Sequence, residues 1–162
     1  MAREIERKFL VAGDGWRRSV RSAASIRQAY LARPDAASIR VRIIDEREAF
    51  LTIKSSQPGA VRAEFEYAVP MEDALHLLHL RTGLVIRKRR HIVPAGGFEW
   101  EVDVFEDEHA GLVLAELELD HRESDFERPA WIGQEVTGDP RFYNANLAVP
   151  MLVGAGPGAR AA

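Results

Sequence analysis

The sequence predicts an α+β fold dominated by an antiparallel sheet with short connections, and three observations predict it. Strand-like segments outnumber helical ones, Gly-, Pro- or Asp-containing breaks separate several of them, and full charges occupy alternating positions in segment after segment. In a strand, successive side chains point to opposite faces, so alternation sorts the residues by face. The first candidate strand, 3–11, projects Glu4, Glu6 and Lys8 from one face and Ile5, Phe9 and Val11, with Arg7, from the other. Asp14 then offers an N-cap for a short helix through Trp16 and Val20. Candidate strands 25–32 and 38–45 flank the break Arg33-Pro34-Asp35, and the second sets Arg40 and Arg42 against Ile39, Val41 and Ile43. Ile44 to Glu48 reads as a tight hairpin into 48–55, where Thr52 and Lys54 oppose Leu51 and Ile53.

Beyond Gln57-Pro58-Gly59, segment 61–69 places Arg62, Glu64 and Glu66 opposite Val61, Phe65 and Tyr67. Met71 to Thr82 carries Leu75 and Leu78 at helical spacing, begins after Pro70 and stops at Gly83. Segment 85–93 reads two ways, with Lys88 and Arg90 on one face and Arg87, Arg89 and His91 on the other. After Pro94-Ala95-Gly96-Gly97, strand 98–106 sets Glu99, Glu101 and Asp103 against Phe98, Trp100, Val102 and Val104. Strand 112–121 sets Glu116 and Glu118 against Val113, Ala115, Leu117 and Leu119. Ser124 offers a cap for a further turn ended by Pro129, and 154–162 reads as a disordered tail.

Composition narrows the classes. A chain of 162 residues, 46% hydrophobic and 29% charged, suits one globular domain, expected over 1–153. Its 22 basic and 25 acidic residues leave a net charge of −3, so no global field invites nucleic acid or an anionic membrane. No cysteine is present, which excludes disulfides, thiolate nucleophiles and Cys-ligated zinc. No apolar run approaches the roughly 20 residues that span a bilayer, and the charged start is no signal peptide. A cytoplasmic protein is the expectation, with room for a homodimer through an apolar outer strand. Arg87 to Arg90 resembles a nucleic-acid patch only until alternation splits it between faces. His76 and His79 share a helix face but lack a third ligand, and Trp16, Trp100 and Trp131 read as packing residues.

The charged faces are unusual for surfaces that merely meet water. Such faces mix Thr, Ser, Gln and Lys, whereas here like charges recur at i and i+2: Glu4/Glu6, Arg40/Arg42, Glu64/Glu66, Glu101/Asp103 and Glu116/Glu118. Like charges side by side cost stability unless an opposite charge lies between them. If the sheet curls until it closes, these faces converge on one lumen. Arg and Lys there want a polyanion, and carboxylates want a hard divalent cation. A metal-bound polyphosphate satisfies both. No GxxxxGK[ST] loop is present, so side chains would hold the phosphates.

With Glu4-x-Glu6-x-Lys8 at the N-terminus followed in order by Gln28-x-Tyr30, Arg40-x-Arg42, Lys54, Glu64-x-Glu66, Lys88-x-Arg90, Glu101-x-Asp103 and Glu116-x-Glu118, the chain resembles the CYTH superfamily, the triphosphate tunnel metalloenzymes, over about residues 3–150. It is most similar to the short bacterial members that hydrolyse inorganic tripolyphosphate. The resemblance implies a closed, antiparallel eight-stranded β-tunnel with a few helices packed outside, and it turns Lys88 and Arg90 inward. It further implies Mg²⁺ or Mn²⁺ held by Glu4, Glu6 and Glu118, with Glu116 and Asp103 close by. Lys8, Arg40, Arg42, Lys54, Lys88 and Arg90 are the implied triphosphate ligands, with Arg62 an addition. Glu64, Glu66 and Glu101 are supporting carboxylates, and Tyr30 matches a tyrosine of some members. Segment 141–148 corresponds to a plug helix that often brings a cation, yet Ala145 and Asn146 offer no lysine here. The expected reaction is metal-dependent cleavage of tripolyphosphate to pyrophosphate and phosphate. Alternatives are a class IV type adenylate cyclase, a thiamine triphosphatase, and a polyphosphate-binding module without chemistry. No residue must read a base, which disfavours the cyclase, and a pure binder has little use for so many carboxylates.

Overall fold

Alternating charge and apolarity make strands of all eight segments predicted as such, and tight turns fold neighbours onto each other. The computed structural model describes residues 2–32, 37–55, 61–121 and 124–150, the side chains of 2–4, 61 and 62 excepted. The breaks at 33–35 and 57–59 and the tail at 154–162 lie outside these. The strands are β1 (Ala2–Val11), β2 (Ser22–Ala32), β3 (Ala37–Ile44), β4 (Glu48–Ser55), β5 (Val61–Ala68), β6 (Thr82–Ala95), β7 (Phe98–Phe105), β8 (Val113–Glu118) and β9 (Ile132–Glu135). The α-helices are α1 (Met71–His79) and α2 (Asn144–Leu147). In the β3–β4 turn, Asp45 and Glu46 take φ values of 50° and 55°, and Arg47 N–H donates to Ile44 O at 3.0 Å. The Asp45 carboxylate accepts from Ser25 N–H at 2.7 Å, which anchors this turn to β2. Gly96 and Gly97, with φ of 59° and 79°, supply the two-residue turn between the paired Ala95 and Phe98.

All strand pairs are antiparallel, in the order β5-β4-β3-β2-β6-β7-β8-β1-β9, and β5 returns to pair with β1. Eight of the nine strands therefore close a ring, the tunnel. β5 pairs only with the start of β1, Ala2 to Ile5. Farther along, β9 takes over that side of β1, with Phe9 opposite Glu135 and Val11 opposite Ile132.

Three apolar clusters fix this wall. Outside β1, β6, β7 and β8, Phe9, Val93, Trp100, Val102, Ala115 and Leu117 are covered by Trp16, Phe126 and Trp131. Outside β2, β3 and β4, α1 lays Ala74 and Leu78 on Ala29, Val41, Ile43 and Ala49. The third cluster closes one end of the tunnel. There Leu147 and Ala148 of the α2 segment pack with Tyr30, Ile86, Phe105 and Leu114, whose neighbours two residues away on the same face are Gln28, Lys88, Asp103 and Glu116. Gly83 permits this closure: at φ +80°, a Cβ on it would lie 2.2 Å from Ala148 O.

Four expectations need correction. Residues 124–130 form no helix; Phe126 instead anchors them by edge-to-face contacts with Phe9, Phe98 and Trp100 at 5.6–6.2 Å. The Asp14 side chain caps nothing, and Gly15–Ser19 is a 3-10 turn held by the buried Trp16. Helix α1 stops at His79, because Thr82 already belongs to β6. The outward residues of β5 do not face a core, since Phe65 is 43% and Tyr67 55% exposed while α1 crosses β2, β3 and β4.

Candidate active site

Register dictates which side chains meet in the tunnel. Lys8 lies opposite Glu116, Glu6 opposite Glu118, and Glu101 opposite Glu116. Arg90 lies opposite Asp103, Lys54 opposite Glu64, and Arg42 opposite Gln28. Lys88 and Arg90 point inward and Arg87 and Arg89 outward, so the strand that reads two ways in sequence has one orientation in the fold. Glu4 and Arg62 are backbone partners of β1 and β5, and their side chains lie outside the described set.

The wall formed by β6, β7, β8 and β1 is a dense network of paired charge. Arg90 places Nε 2.8 Å from Asp103 Oδ1 and Nη2 2.7 Å from Oδ2. The same Nη2 reaches Glu116 Oε2 at 3.0 Å, and Nη1 contacts Glu101. Lys88, fully buried, contacts the second Asp103 oxygen. Lys8 Nζ sits 2.8 Å from Glu116 Oε1 and 3.6 Å from Glu6 Oε1. Lys8 is also clamped from behind. Its N–H donates to Thr137 Oγ1 at 3.0 Å, its carbonyl accepts from Val136 N–H at 2.8 Å, and its ammonium donates to Phe142 O at 3.4 Å. The plug segment thus brings a carbonyl to the site, while Arg141 turns outward to Asp139 at 2.6 Å.

These contacts set the protonation states. Burial pushes the Glu116 carboxyl up, but Lys8, Arg90 and Lys88 outweigh it and hold it well below its ordinary value. Burial likewise opposes ionisation of Asp103, and Arg90 and Lys88 overcome it, leaving the group lowered. Burial would lower Lys8, yet Glu116 and Glu6 hold it raised. Glu101 is raised, by burial first, then by Glu116 and Asp103 against the pull of Arg90. Lys88 is lowered to about 8, mainly by burial, with Arg90 and Arg42 acting in the same direction against Asp103.

The facing wall is different. Arg42 gives its Nε proton to the neutral Gln28 Oε1 at 3.1 Å, and no carboxylate partners it among the described residues. Burial, then Arg40 and Arg90, lower it to about 10. Arg40 donates to Thr52 Oγ1 at 3.2 Å, with Glu66 Oε2 4.0 Å away, and Thr52 passes its own proton to Glu66 at 3.0 Å. Lys54 bridges Glu64 at 3.1 Å and Glu6 at 3.9 Å. Among the described residues, positive charge is therefore least neutralised on β3. Of the residues singled out from sequence, Tyr30 alone is drawn into the apolar end cluster. Sequence reasoning misses Thr52 and Thr137; the one signal for Thr52 is that it shares a strand face with Lys54, and its partners Arg40 and Glu66 come from the neighbouring strands.

Glu6 and Glu118 face each other directly across β1 and β8. Lys8 and Lys54 reach Glu6 only at 3.6 and 3.9 Å, and carboxylate oxygens are the donor set that a hard divalent cation takes. The residues present therefore fit such an ion. Among the described residues no three Asp, Glu or His side chains form a metal-sized cluster, and the side chain of Glu4, the third member of the expected set, lies outside the described set.

A CYTH domain model matches residues 2–143. An inorganic triphosphatase of Acetivibrio thermocellus is 43% identical over 148 residues, covering 91% of this chain and 94% of that protein. An inorganic triphosphatase of Nitrosomonas europaea is 36% identical over 153 residues, covering 90% and 97%. A crystal structure of an inorganic triphosphatase superposes with a TM-score of 0.68 at 34% identity, covering 93% of this chain and 97% of that one. A closed antiparallel tunnel lined with paired charge and a family match over most of its length lead to one conclusion: the chain belongs to the CYTH domain family.

Proposed function

We propose that the protein hydrolyses inorganic tripolyphosphate, or a related triphosphate, to pyrophosphate and phosphate, with residues 1–153 acting as one CYTH-like unit. The observation that carries this reading is the division of charge across the tunnel. Arg40 and Arg42 on β3 lack full neutralisation, while opposed carboxylates gather at Glu6 and Glu118. A polyanion and a hard cation are the ligands that relieve both at once.

In this reading Arg40 and Arg42 bind the phosphoryl oxygens, with Lys8, Lys54, Lys88 and Arg90 around them and Arg62 joining from β5. Glu4, Glu6 and Glu118 hold Mg²⁺ or Mn²⁺. Glu116 and Asp103 have both oxygens engaged by Lys8, Arg90 and Lys88, so they serve to fix those cations behind the metal ligands. Glu64, Glu66 and Glu101 orient Lys54, Arg40 and Arg90. A divalent ion, when bound, neutralises phosphate charge and makes water acidic enough to supply a nucleophile near neutral pH. Water attacks a terminal phosphorus and releases a proton to solvent, the P–O bond to the bridging oxygen breaks, and the leaving pyrophosphate keeps the electron pair. Arg40 and Arg42 stabilise the charge that develops on the equatorial and leaving oxygens. The apolar plug bars water from the closed end.

The purified protein incubated with tripolyphosphate, ATP or thiamine triphosphate, with and without Mg²⁺ or Mn²⁺, tests this directly. Phosphate release from tripolyphosphate only with metal is expected. Cyclic nucleotide from ATP would assign the chemistry to a cyclase, and binding without turnover of any substrate would make the protein a binding module.

A further inference from the structure

Two buried donor atoms in the tunnel have no hydrogen-bond partner among the described residues, Gln28 Nε2 and Arg40 Nε. Both belong to the β2–β3 wall, and both can only donate. Buried donors left unpaired are costly, and the one buried side-chain acceptor in the same condition among the described residues, Asn144 Oδ1, lies on α2 rather than on this wall. An acceptor-rich ligand is what this wall lacks.

Gln28 is the more informative of the two. It is fully buried on the inward face of β2, between Arg42 on β3 and Ile86 on β6. Arg42 Nε has only a proton to give, so the amide atom facing it is the oxygen, and the NH₂ group necessarily points elsewhere. The contrast with Arg90 is chemical. Arg90 is met by carboxylates of Glu101, Asp103 and Glu116, whereas Arg42 is met by a neutral carbonyl. A carboxylate at position 28 would hold the guanidinium as firmly, and would cancel its charge.

We propose that Gln28 is a substrate-binding and Arg42-positioning residue: its amide oxygen fixes the guanidinium without neutralising it, and its amide nitrogen donates to a phosphoryl oxygen of the bound triphosphate. This rests on the triphosphatase reading above. Arg42 and Gln28 then form one fork, a charged and a neutral donor side by side, presented to the same anion.

Q28E and Q28M separate this role from a structural one. Glu keeps the acceptor for Arg42 but loses the donor and cancels the charge; Met keeps the volume and loses both polar functions. The proposal expects KM for tripolyphosphate to rise about ten-fold in Q28M, the scale of one hydrogen bond to a charged group, and further in Q28E. It also expects the Tm of Q28E to match or exceed that of Q28M. A residue that merely props up Arg42 gives the reverse order, with Q28E binding near wild type and Q28M impaired; that result overturns the proposal. Should either variant fail to fold, Q28N, which keeps the amide one methylene short, decides by the same KM: a rise supports the proposal and a wild-type value overturns it. Absence of triphosphatase activity in the wild-type protein would sink the functional reading itself; the inference is then read from tripolyphosphate binding by calorimetry, where weaker binding by Q28M than by wild type supports it and equal or no binding by both overturns it.

Discussion

Asp103 receives three donors from two cations, Arg90 through Nε and Nη2 and Lys88 through its ammonium, and all three residues are nearly or fully withdrawn from water. Removing one partner from a buried ion network strands the others, at a cost of about 3–5 kcal/mol. D103N retains one acceptor, so a loss near the lower end of that range is expected, read by denaturant unfolding. Full stability in D103N would show that Lys88 and Arg90 are held by something else. The same group sets a pH dependence. Asp103 and Glu116 are lowered in the folded state, so their contribution is complete above the ordinary carboxylate range and is lost as pH falls through their folded values. Glu101, raised, works in the opposite sense: the folded protein keeps its proton to higher pH, which favours folding on the acid side of that interval. With two lowered groups against one raised, stability in chelator should decline as pH is brought from 5 to 3, and E116Q should flatten the decline. An unchanged unfolding midpoint across that range would contradict the assignment.

At the scale of elements, the closed end and the back of β1 depend on a short C-terminal stretch with little regular structure. Gly83 and Ala148 meet so closely that G83A forces a 2.2 Å contact at a backbone φ of +80°, where an L side chain is already strained. A loss of more than about 1 kcal/mol follows from the conformation alone, and calorimetry should show it together with a fall in activity as the plug is displaced. T137V removes the acceptor of Lys8 N–H and should cost about 1–3 kcal/mol, the price of an unsatisfied donor, while shifting kcat more than surface variants do. F65S and Y67S serve as the comparison, because no element among the described residues covers that outer face; changes within about 0.5 kcal/mol are expected there. This stretch was also the least legible part of the sequence. The alternation of 3–11, 38–45 and 98–106 announces strands because one face is charged and the other apolar over many residues. β9 has four residues with Gly133 among them, and what makes it a strand is the free side of β1, a tertiary fact. Ser124 carried the right chemistry for a cap, and the aromatic socket of Phe9, Phe98 and Trp100 overrode it.

For the whole molecule, closure of the sheet turns a row of electrostatic liabilities into a polarised channel, with opposed carboxylates at Glu6 and Glu118 and, among the described residues, Arg42 on β3 met by a neutral amide and Arg40 only distantly paired with Glu66. Spacing in the sequence was enough to put these groups on one face, since a period of two is insensitive to strand ends. It could not say which cations would be neutralised by which acids, because that depends on strand order around the ring: β7 and β8 lie beside β6 and β1, and β3 is flanked by the near-neutral β2. Chelation should therefore abolish turnover, and Mg²⁺ should raise the Tm of wild type more than that of E118Q, where half of the opposed pair is gone. The most direct measurement is phosphate release from tripolyphosphate in Mg²⁺ by wild type and E6Q at equal folded concentration. Metal-dependent turnover by wild type and its loss by a factor of about a thousand or more in E6Q are predicted, the scale on which essential catalytic groups act. Turnover by E6Q close to wild type would mean that the face of Glu6 and Glu118 is not where the chemistry happens.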